Sequence, residues 1–260
     1  AVRQLNCNCG IVLTASHNPP EYNGYKVYWE DGGQIVPPID NKLMTEIDKT
    51  KYTDINFKRD QKLVELLDEK IDKIYVNKSI SFTQSIIPQN DLKNLNIVFT
   101  SLHGTSYKLL PELLKKSGFN NLKLVDSQMN PDGNFTNVNS SNPENSNSLL
   151  QAIDLAIREN SDLVIGTDPD ADRFGIAVRN FENDFINING NQLMAVMTDY
   201  ILSKYKGNKE NSFIASTIVS TPMMNKIAKK NNVKILLSLT GFKWIGKMIN
   251  DFKDLNFICG

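Results

Sequence analysis

Cysteine and histidine are scarce in this 260-residue sequence: Cys7, Cys9 and Cys259 are its thiols, His17 and His103 its imidazoles. The cysteines show neither zinc-site spacing nor a disulfide framework, so a reducing, cytoplasmic setting is the expectation. Excess charge is also missing. Lys and Arg number 29, as do Asp and Glu. No net field therefore draws the chain to nucleic acid or an acidic membrane, and an anionic ligand must be held by a local cluster of cations. No apolar run approaches the ~20 residues of a membrane span, and the first residues lack a signal-peptide pattern. There is no short-period repeat, and the Asn/Ser-rich stretch near 137–148 is the sole biased segment. A G-x-S-x-G nucleophile elbow is absent too, which with so few histidines argues against a hydrolase triad.

What is present is a hydrophobic content of 40%, suited to a soluble protein with a substantial core, and a length sufficient for two domains or parts of three. The stretch Gly10-Ile-Val-Leu-Thr-Ala-Ser-His-Asn-Pro-Pro20 organises the rest. Ile11, Val12 and Leu13 read as a buried strand that breaks into small hydrogen-bonding residues, and Pro19-Pro20 then prevents a return to the ladder. The hydroxyl of Ser16 is thereby presented on a loop at a strand end. Adjacent side chains of an extended segment point to opposite sides, so His17 is expected to be poorly placed as a base for Ser16. After the turn dipeptide Asn23-Gly24, Lys26 opens a second strand, Tyr25–Trp29, and its ammonium suits a phosphoryl group carried on the Ser16 hydroxyl.

Further along, Ile39 to about Asp72 is highly charged. Leu63, Leu66, Leu67, Ile71, Ile74 and Tyr75 predict a long surface helix there. Strands are expected at 95–99, 122–125 and 163–165, and helices at 106–116 and 149–158. A long polar loop lies between Asp126 and Ser146. A third unit is predicted to open on Gly175–Val178 paired with Phe185–Ile188, followed by a helix at 192–204. Strands at 213–215, 233–237 and 255–259 and helices at 222–230 and 241–250 complete the alternation, which argues for α/β domains.

Asp168, Asp170 and Asp172 stand at every second position just after a buried strand. Three neighbouring carboxylates repel one another unless a positive charge sits among them, and a hard divalent cation, Mg²⁺ above all, meets that need. An EF-hand is excluded, because Arg173 and Arg179 occupy the positions where it needs Gly and Glu. A third stretch, Leu239-Thr-Gly-Phe-Lys-Trp-Ile-Gly246, ends a strand and begins a helix, so backbone N–H groups and Lys243 are available to an anion.

Thr14-Ala-Ser-His-Asn-Pro19, continued by Tyr22-Asn-Gly-Tyr-Lys26, Trp29-Glu-Asp-Gly-Gly33 and Val36-Pro-Pro38, closely resembles the phosphoserine loop of the phosphoglucomutase/phosphomannomutase family, the α-D-phosphohexomutases. The Asp168–Arg173 run resembles that family's metal loop, and Thr240, Gly241 and Lys243 its sugar-phosphate loop. Pro131–Phe135 and Asn142–Glu144 also look like its second domain. The resemblance implies consecutive α/β/α domains with mixed sheets, divided at residues 1–68, 69–178 and 179–260. It implies a Mg-dependent interconversion of hexose 1-phosphate and hexose 6-phosphate through phosphorylated Ser16 and a glucose 1,6-bisphosphate type of intermediate. Ser16 and the three aspartates would hold the metal, and Lys26 and Arg173 would assist the transfer. His17, Asn18, Thr240, Gly241 and Lys243 would contact the sugar phosphate or hold the loop. Mutases of this kind have four domains, so the chain is expected to be a fragment, inactive alone, lacking most of domain 1, the end of domain 3 and domain 4. Phosphopentomutase or glucose-1,6-bisphosphate synthase are alternatives within the family. A haloacid-dehalogenase-like phosphatase using Asp168, or a non-catalytic sugar-phosphate-binding fragment, are alternatives outside that activity.

Overall fold

Strands and helices alternate along most of the chain, and the computed structural model describes residues 1–84 and 94–260. The first elements are α1 (Val2–Leu5), β1 (Cys9–Leu13), β2 (Tyr25–Trp29), α2 (Ile39–Lys49) and α3 (Glu69–Gln84). Next come β3 (Asn96–Thr100), α4 (Leu109–Lys116), β4 (Asn121–Leu124) and α5 (Leu150–Arg158). They are followed by β5 (Leu163–Thr167), β6 (Phe174–Arg179), β7 (Phe185–Ile188) and α6 (Gly190–Lys204). The series ends with β8 (Ser212–Thr217), α7 (Met223–Lys230), β9 (Lys234–Ser238), α8 (Phe242–Asp251) and β10 (Asn256–Phe257). The expected mixed α/β class is borne out. Two compact units result, one of residues 1–12, 26–71 and 206–260, the other of residues 13–25 and 72–205.

The second unit is built on a five-stranded sheet in the order β4-β3-β5-β6-β7. β3 runs parallel to both β4 and β5, whereas β6 and β7 are antiparallel additions. Ile97, Val98 and Phe99 of β3 are buried, the continuous apolar run expected of a strand covered on both faces. Small residues on α5, Ala152 and Ala156, let the helix pack against Val98, Val164 and Ala177. The sequence predicts that Gly175–Val178, paired with Phe185–Ile188, opens a third unit. Here it completes this sheet instead, because the connection from Thr167 to Phe174 is short enough to return the chain antiparallel beside β5.

In the other unit, β10, β8 and β9 form a parallel sheet. Phe213, Ala215 and Ile245 are buried there, with Leu236, Met248, Leu255 and Phe257 packed around them. The same unit contains most of the β1–β2 ribbon.

Three further expectations need correction. β1 forms but is not buried: Ile11 is 62% and Leu13 79% exposed, since a two-stranded ribbon offers no second layer to cover it. The long helix predicted from Leu63 onward begins only at Glu69. Asp60 accepts the Lys62 N–H and favours a turn, and Asp68, just before Glu69, accepts the Lys70 N–H as the cap that starts the helix there. The helix predicted at 106–116 divides into a 3₁₀ turn, Thr105–Tyr107, and α4. Pro111 has no N–H to give the Tyr107 carbonyl, so a single α-helix cannot run through both.

The long polar loop after β4 is pinned to this sheet at Gly175, where an added Cβ would lie 2.2 Å from the Pro143 carbonyl oxygen. Backbone cannot yield as a flexible side chain would. Gly175→Ala is therefore expected to destabilise the chain by about 1–3 kcal/mol, seen as a lower urea midpoint. An unchanged midpoint would mean that the loop is not seated on β6.

Candidate active site

β5 delivers Asp168 to the end of the five-stranded sheet, where its side chain is buried. The chain then turns within a few residues: Asp168 N donates to Arg173 O at 3.2 Å, and Ala171 N donates to Asp168 O at 3.0 Å. Ala171 takes a positive φ of 59° to complete the turn. As a result Asp168, Asp170 and Asp172 each bring a carboxylate oxygen within 4.8 Å of the others. Two oxygens bound to one ion at about 2.0–2.4 Å can be no farther apart than about 4.8 Å, so an all-oxygen set of this size fits a hard divalent cation.

The electrostatics agree with that reading. Burial is the main reason that Asp168 is pushed up to about 7, with the charges of Asp170 and Asp172 adding to it. The backbone N–H of Arg173, donating to Asp168 Oδ1 at 3.0 Å, pulls the other way without cancelling it.

Ser16 arrives from the other direction. The loop between β1 and β2 is closed at its base by Thr14 N donating to Gly24 O at 3.0 Å. Ser16 itself has φ 55°, a left-handed conformation uncommon for a residue with a side chain. Its N–H donates to Thr14 Oγ1 at 2.8 Å, and Thr14 Oγ1 donates to Asp170 Oδ2 at 3.0 Å. Beyond Ser16, Asn18 N donates to Ala15 O at 3.1 Å, and Ser141 Oγ donates to His17 O at 3.0 Å. The Ser16 hydroxyl ends 3.3 Å from Asp168 Oδ2, to which it donates.

The left-handed Ser16 also overturns the expected placement of His17. Its Nδ1 lies 3.3 Å from Ser16 Oγ, on the same side rather than the opposite one, because the segment is turned and not extended. Yet Arg173 Nη1 is closer, at 2.7 Å from that same nitrogen. A guanidinium can only donate, so Nδ1 accepts there and its lone pair is engaged. Burial first, and then the charge of Arg173, hold the His17 imidazole below its usual range. His17 is thus a neutral acceptor for Arg173, which disfavours a Ser-His hydrolase by a route different from the one the sequence suggested.

Ser16, His17, Asn18, Arg173 and the three aspartates all belong to one compact unit, whereas Lys26, Thr240, Gly241 and Lys243 belong to the other. In that unit Gly241 caps α8 with φ 120°, and Trp244 N donates to its carbonyl at 3.0 Å. Lys243 Nζ lies 5.3 Å over the Trp244 ring. Sequence reasoning missed Thr14, Ser141 and Gly104 as supports. A Cβ on Gly104 would stand 2.6 Å from Pro169 Cα, and Thr105 donates to the Pro169 carbonyl from both its N–H and its hydroxyl. Thr14, two residues before Ser16, carries a local signal as a hydroxyl able to accept a nearby N–H. Ser141 is 124 positions from its partner, and no local pattern reveals that.

Three family profiles match the chain in order. Each is described as phosphoglucomutase/phosphomannomutase, alpha/beta/alpha: domain I at residues 1–54, domain II at 73–182 and domain III at 189–260. A phosphoglucomutase of Staphylococcus aureus is 40% identical over 258 residues, covering 98% of this chain and 46% of the relative. The chain thus spans about half the length of the curated relatives it matches. Among solved structures, a phosphoglucomutase/phosphomannomutase family protein of Burkholderia thailandensis superposes with a TM-score of 0.72 at 22% identity, over 95% of this chain and 48% of that one. An N-acetylphosphoglucosamine mutase of Aspergillus fumigatus, in complex with glucose 1,6-bisphosphate, superposes with a TM-score of 0.55 at 16% identity, over 95% and 58% of the two chains. At such identities these two show a shared fold.

The raised Asp168 makes a prediction for the metal-free chain. Its carboxyl titrates near 7 when folded, against 3.8 as the reference value. Between those values the folded chain holds a proton that the unfolded chain has released, so stability falls as pH rises through this window. In chelator, thermal unfolding should occur at higher temperature at pH 5 than at pH 8, after subtraction of the same difference in Asp168→Asn. A pH 5 to pH 8 difference as large in Asp168→Asn as in the parent would exclude Asp168 as its source.

Proposed function

Because the chain belongs to the phosphoglucomutase/phosphomannomutase family, we propose that it serves a phosphohexomutase interconverting hexose 1-phosphate and hexose 6-phosphate, glucose and/or mannose, through a phosphoserine at Ser16. The observation that carries this reading is the approach of Ser16 Oγ to Asp168 Oδ2, at 3.3 Å, inside a cluster of three carboxylates. A phosphoryl group on that oxygen would add negative charge to an already crowded set, which is tolerable only with a cation present. Asp168, Asp170 and Asp172 would hold one Mg²⁺ together with an oxygen of the phosphorylated Ser16, and the bound ion supplies positive charge that offsets the charge of the transferring group.

The chain's own residues do the rest. Ser16 is donor and later acceptor: its O–P bond breaks as a new O–P bond forms to the free hydroxyl of the sugar phosphate, and the proton of that hydroxyl ends on Ser16 Oγ. The resulting 1,6-bisphosphate turns over, and its other phosphate returns to Ser16. Arg173, held by the neutral His17, presents fixed positive charge beside the phosphoryl group, and Lys26 is assigned the role of a second cation. Asn18 is exposed on the loop beyond Ser16 and is assigned to the sugar phosphate. The N–H groups at Thr240 and Gly241, with Lys243 in the first turn of α8, suit the remaining phosphate of the sugar. No described helix is long and apolar enough to cross a membrane. The three cysteines are free thiols, in keeping with the reducing, cytoplasmic setting assigned here.

The test uses the full-length protein, acid-quenched during turnover with glucose 1-phosphate and a catalytic amount of glucose 1,6-bisphosphate, then digested and read by mass spectrometry. The phosphoryl group is expected on Ser16. Ser16→Ala should remove turnover by far more than the ~10²–10³-fold of one lost electrostatic contact, because it removes the covalent acceptor. A phosphoryl group on Asp168, or substantial turnover in Ser16→Ala, would overturn the assignment.

A further inference from the structure

Thr14 spends one hydroxyl on two partners. It donates to Asp170 Oδ2 at 3.0 Å and accepts the Ser16 N–H at 2.8 Å. The directions follow from chemistry: a backbone N–H can only donate, so the hydroxyl accepts it and has its own proton to give the carboxylate oxygen. On one side of this hydroxyl stands Ser16 at φ 55°, a conformation that needs support from its surroundings. On the other stands Asp170, one of the three carboxylates gathered within 4.8 Å. A cation on those carboxylates would fix Asp170, and through it the donor end of the Thr14 hydroxyl.

We propose that Thr14 is a positioning residue that couples the backbone of Ser16 to Asp170, so that cation binding and presentation of the Ser16 hydroxyl reinforce each other. The proposal rests on reading the three aspartates as a cation site. Coupling of this kind is reciprocal: whatever the cation does for Ser16, an ordered Ser16 does for the cation. Ser141 supplies an internal contrast. It holds the far side of the same loop through the His17 carbonyl, at 3.0 Å, without contacting an aspartate by any hydrogen bond described. It stiffens the loop but stands outside the link.

Amide hydrogen exchange of this chain, resolved at Ser16 by NMR with and without Mg²⁺, tests the link without reference to turnover. In the parent, Mg²⁺ is expected to slow exchange at Ser16. In Thr14→Val, which keeps the shape and loses the hydroxyl, Ser16 should exchange about tenfold faster in chelator and lose its response to Mg²⁺. Thr14→Ser should restore the parent's behaviour, and Ser141→Ala should keep the Mg²⁺ response. Unchanged amides in β3 and β5 report an intact fold. Should Thr14→Val not fold, Asp170→Ala cuts the link from its other end, and faster exchange at Ser16 is expected again. Parent-like exchange and Mg²⁺ response in Thr14→Val overturn the proposal, as does a parent-like Ser16 rate in Asp170→Ala. Failure of Mg²⁺ to bind the parent overturns the cation reading itself, and is recognised separately because it needs no variant.

Discussion

Repulsion among three carboxylates at the end of β5 is the constraint that the rest of the second unit accommodates. Asp168, Asp170 and Asp172 would separate if their loop were free, yet their oxygens stay within 4.8 Å of one another. Neighbouring backbone keeps the loop in place. Gly104 lies so close to Pro169 that a single added carbon would clash, and Thr105 binds the Pro169 carbonyl twice. Behind this, the buried Gln128 accepts from Thr100 Oγ1 at its Oε1, at 2.8 Å, and donates from its Nε2 to Asn137 O at 3.0 Å. Buried polar groups satisfied in this way rigidify a structure, because any displacement would strand them without partners. The long loop after β4 is therefore part of the support, not a surface excursion.

The same carboxylates determine how Ser16 is presented. Asp168 receives the Ser16 hydroxyl, and Asp170 receives the Thr14 hydroxyl that in turn accepts the Ser16 N–H. A hydroxyl on a loop is held more precisely when its neighbours lock both its backbone and its side chain. Here both are tied to groups that a cation would order. His17 contributes by staying neutral and holding Arg173, which keeps a permanent positive charge beside the hydroxyl without consuming the histidine as a base.

Much of this was legible from the amino acids, and the remainder was hidden for identifiable reasons. β3 and β5 announce themselves as short apolar runs between polar segments, and their burial matches. The aspartates at alternate positions after β5 could be grouped from spacing alone. The conformation of Ser16 could not be, because a left-handed φ outside glycine is imposed by tertiary bonds, and the predicted side of His17 reversed with it. Leu63 and Leu66 followed helical spacing, yet both are 85% exposed ahead of α3. Periodicity there lost to Asp60, which takes up a backbone donor in a turn, and to Asp68, which caps the helix at Glu69. β1 shows a different limit: an apolar run reports that a strand forms, whereas its burial depends on the layers around it. The links from Ser141 to His17 and from Thr14 to Asp170 span 124 and 156 positions, and no local pattern encodes them.

We read Ser16 and the three aspartates as one phosphoryl-and-cation site. Calorimetric titration of Mg²⁺ into the protein with Ser16 phosphorylated, and again with Ser16 bare, separates a shared site from independent ones. Three carboxylates fill only part of an octahedral shell, and a phosphoseryl oxygen would add both a ligand and charge. One Mg²⁺ per chain is expected in the phosphorylated form, bound more tightly than in the bare form. Equal affinity in the two forms would contradict it, because the phosphoryl group would then not share the cation with Asp168, Asp170 and Asp172.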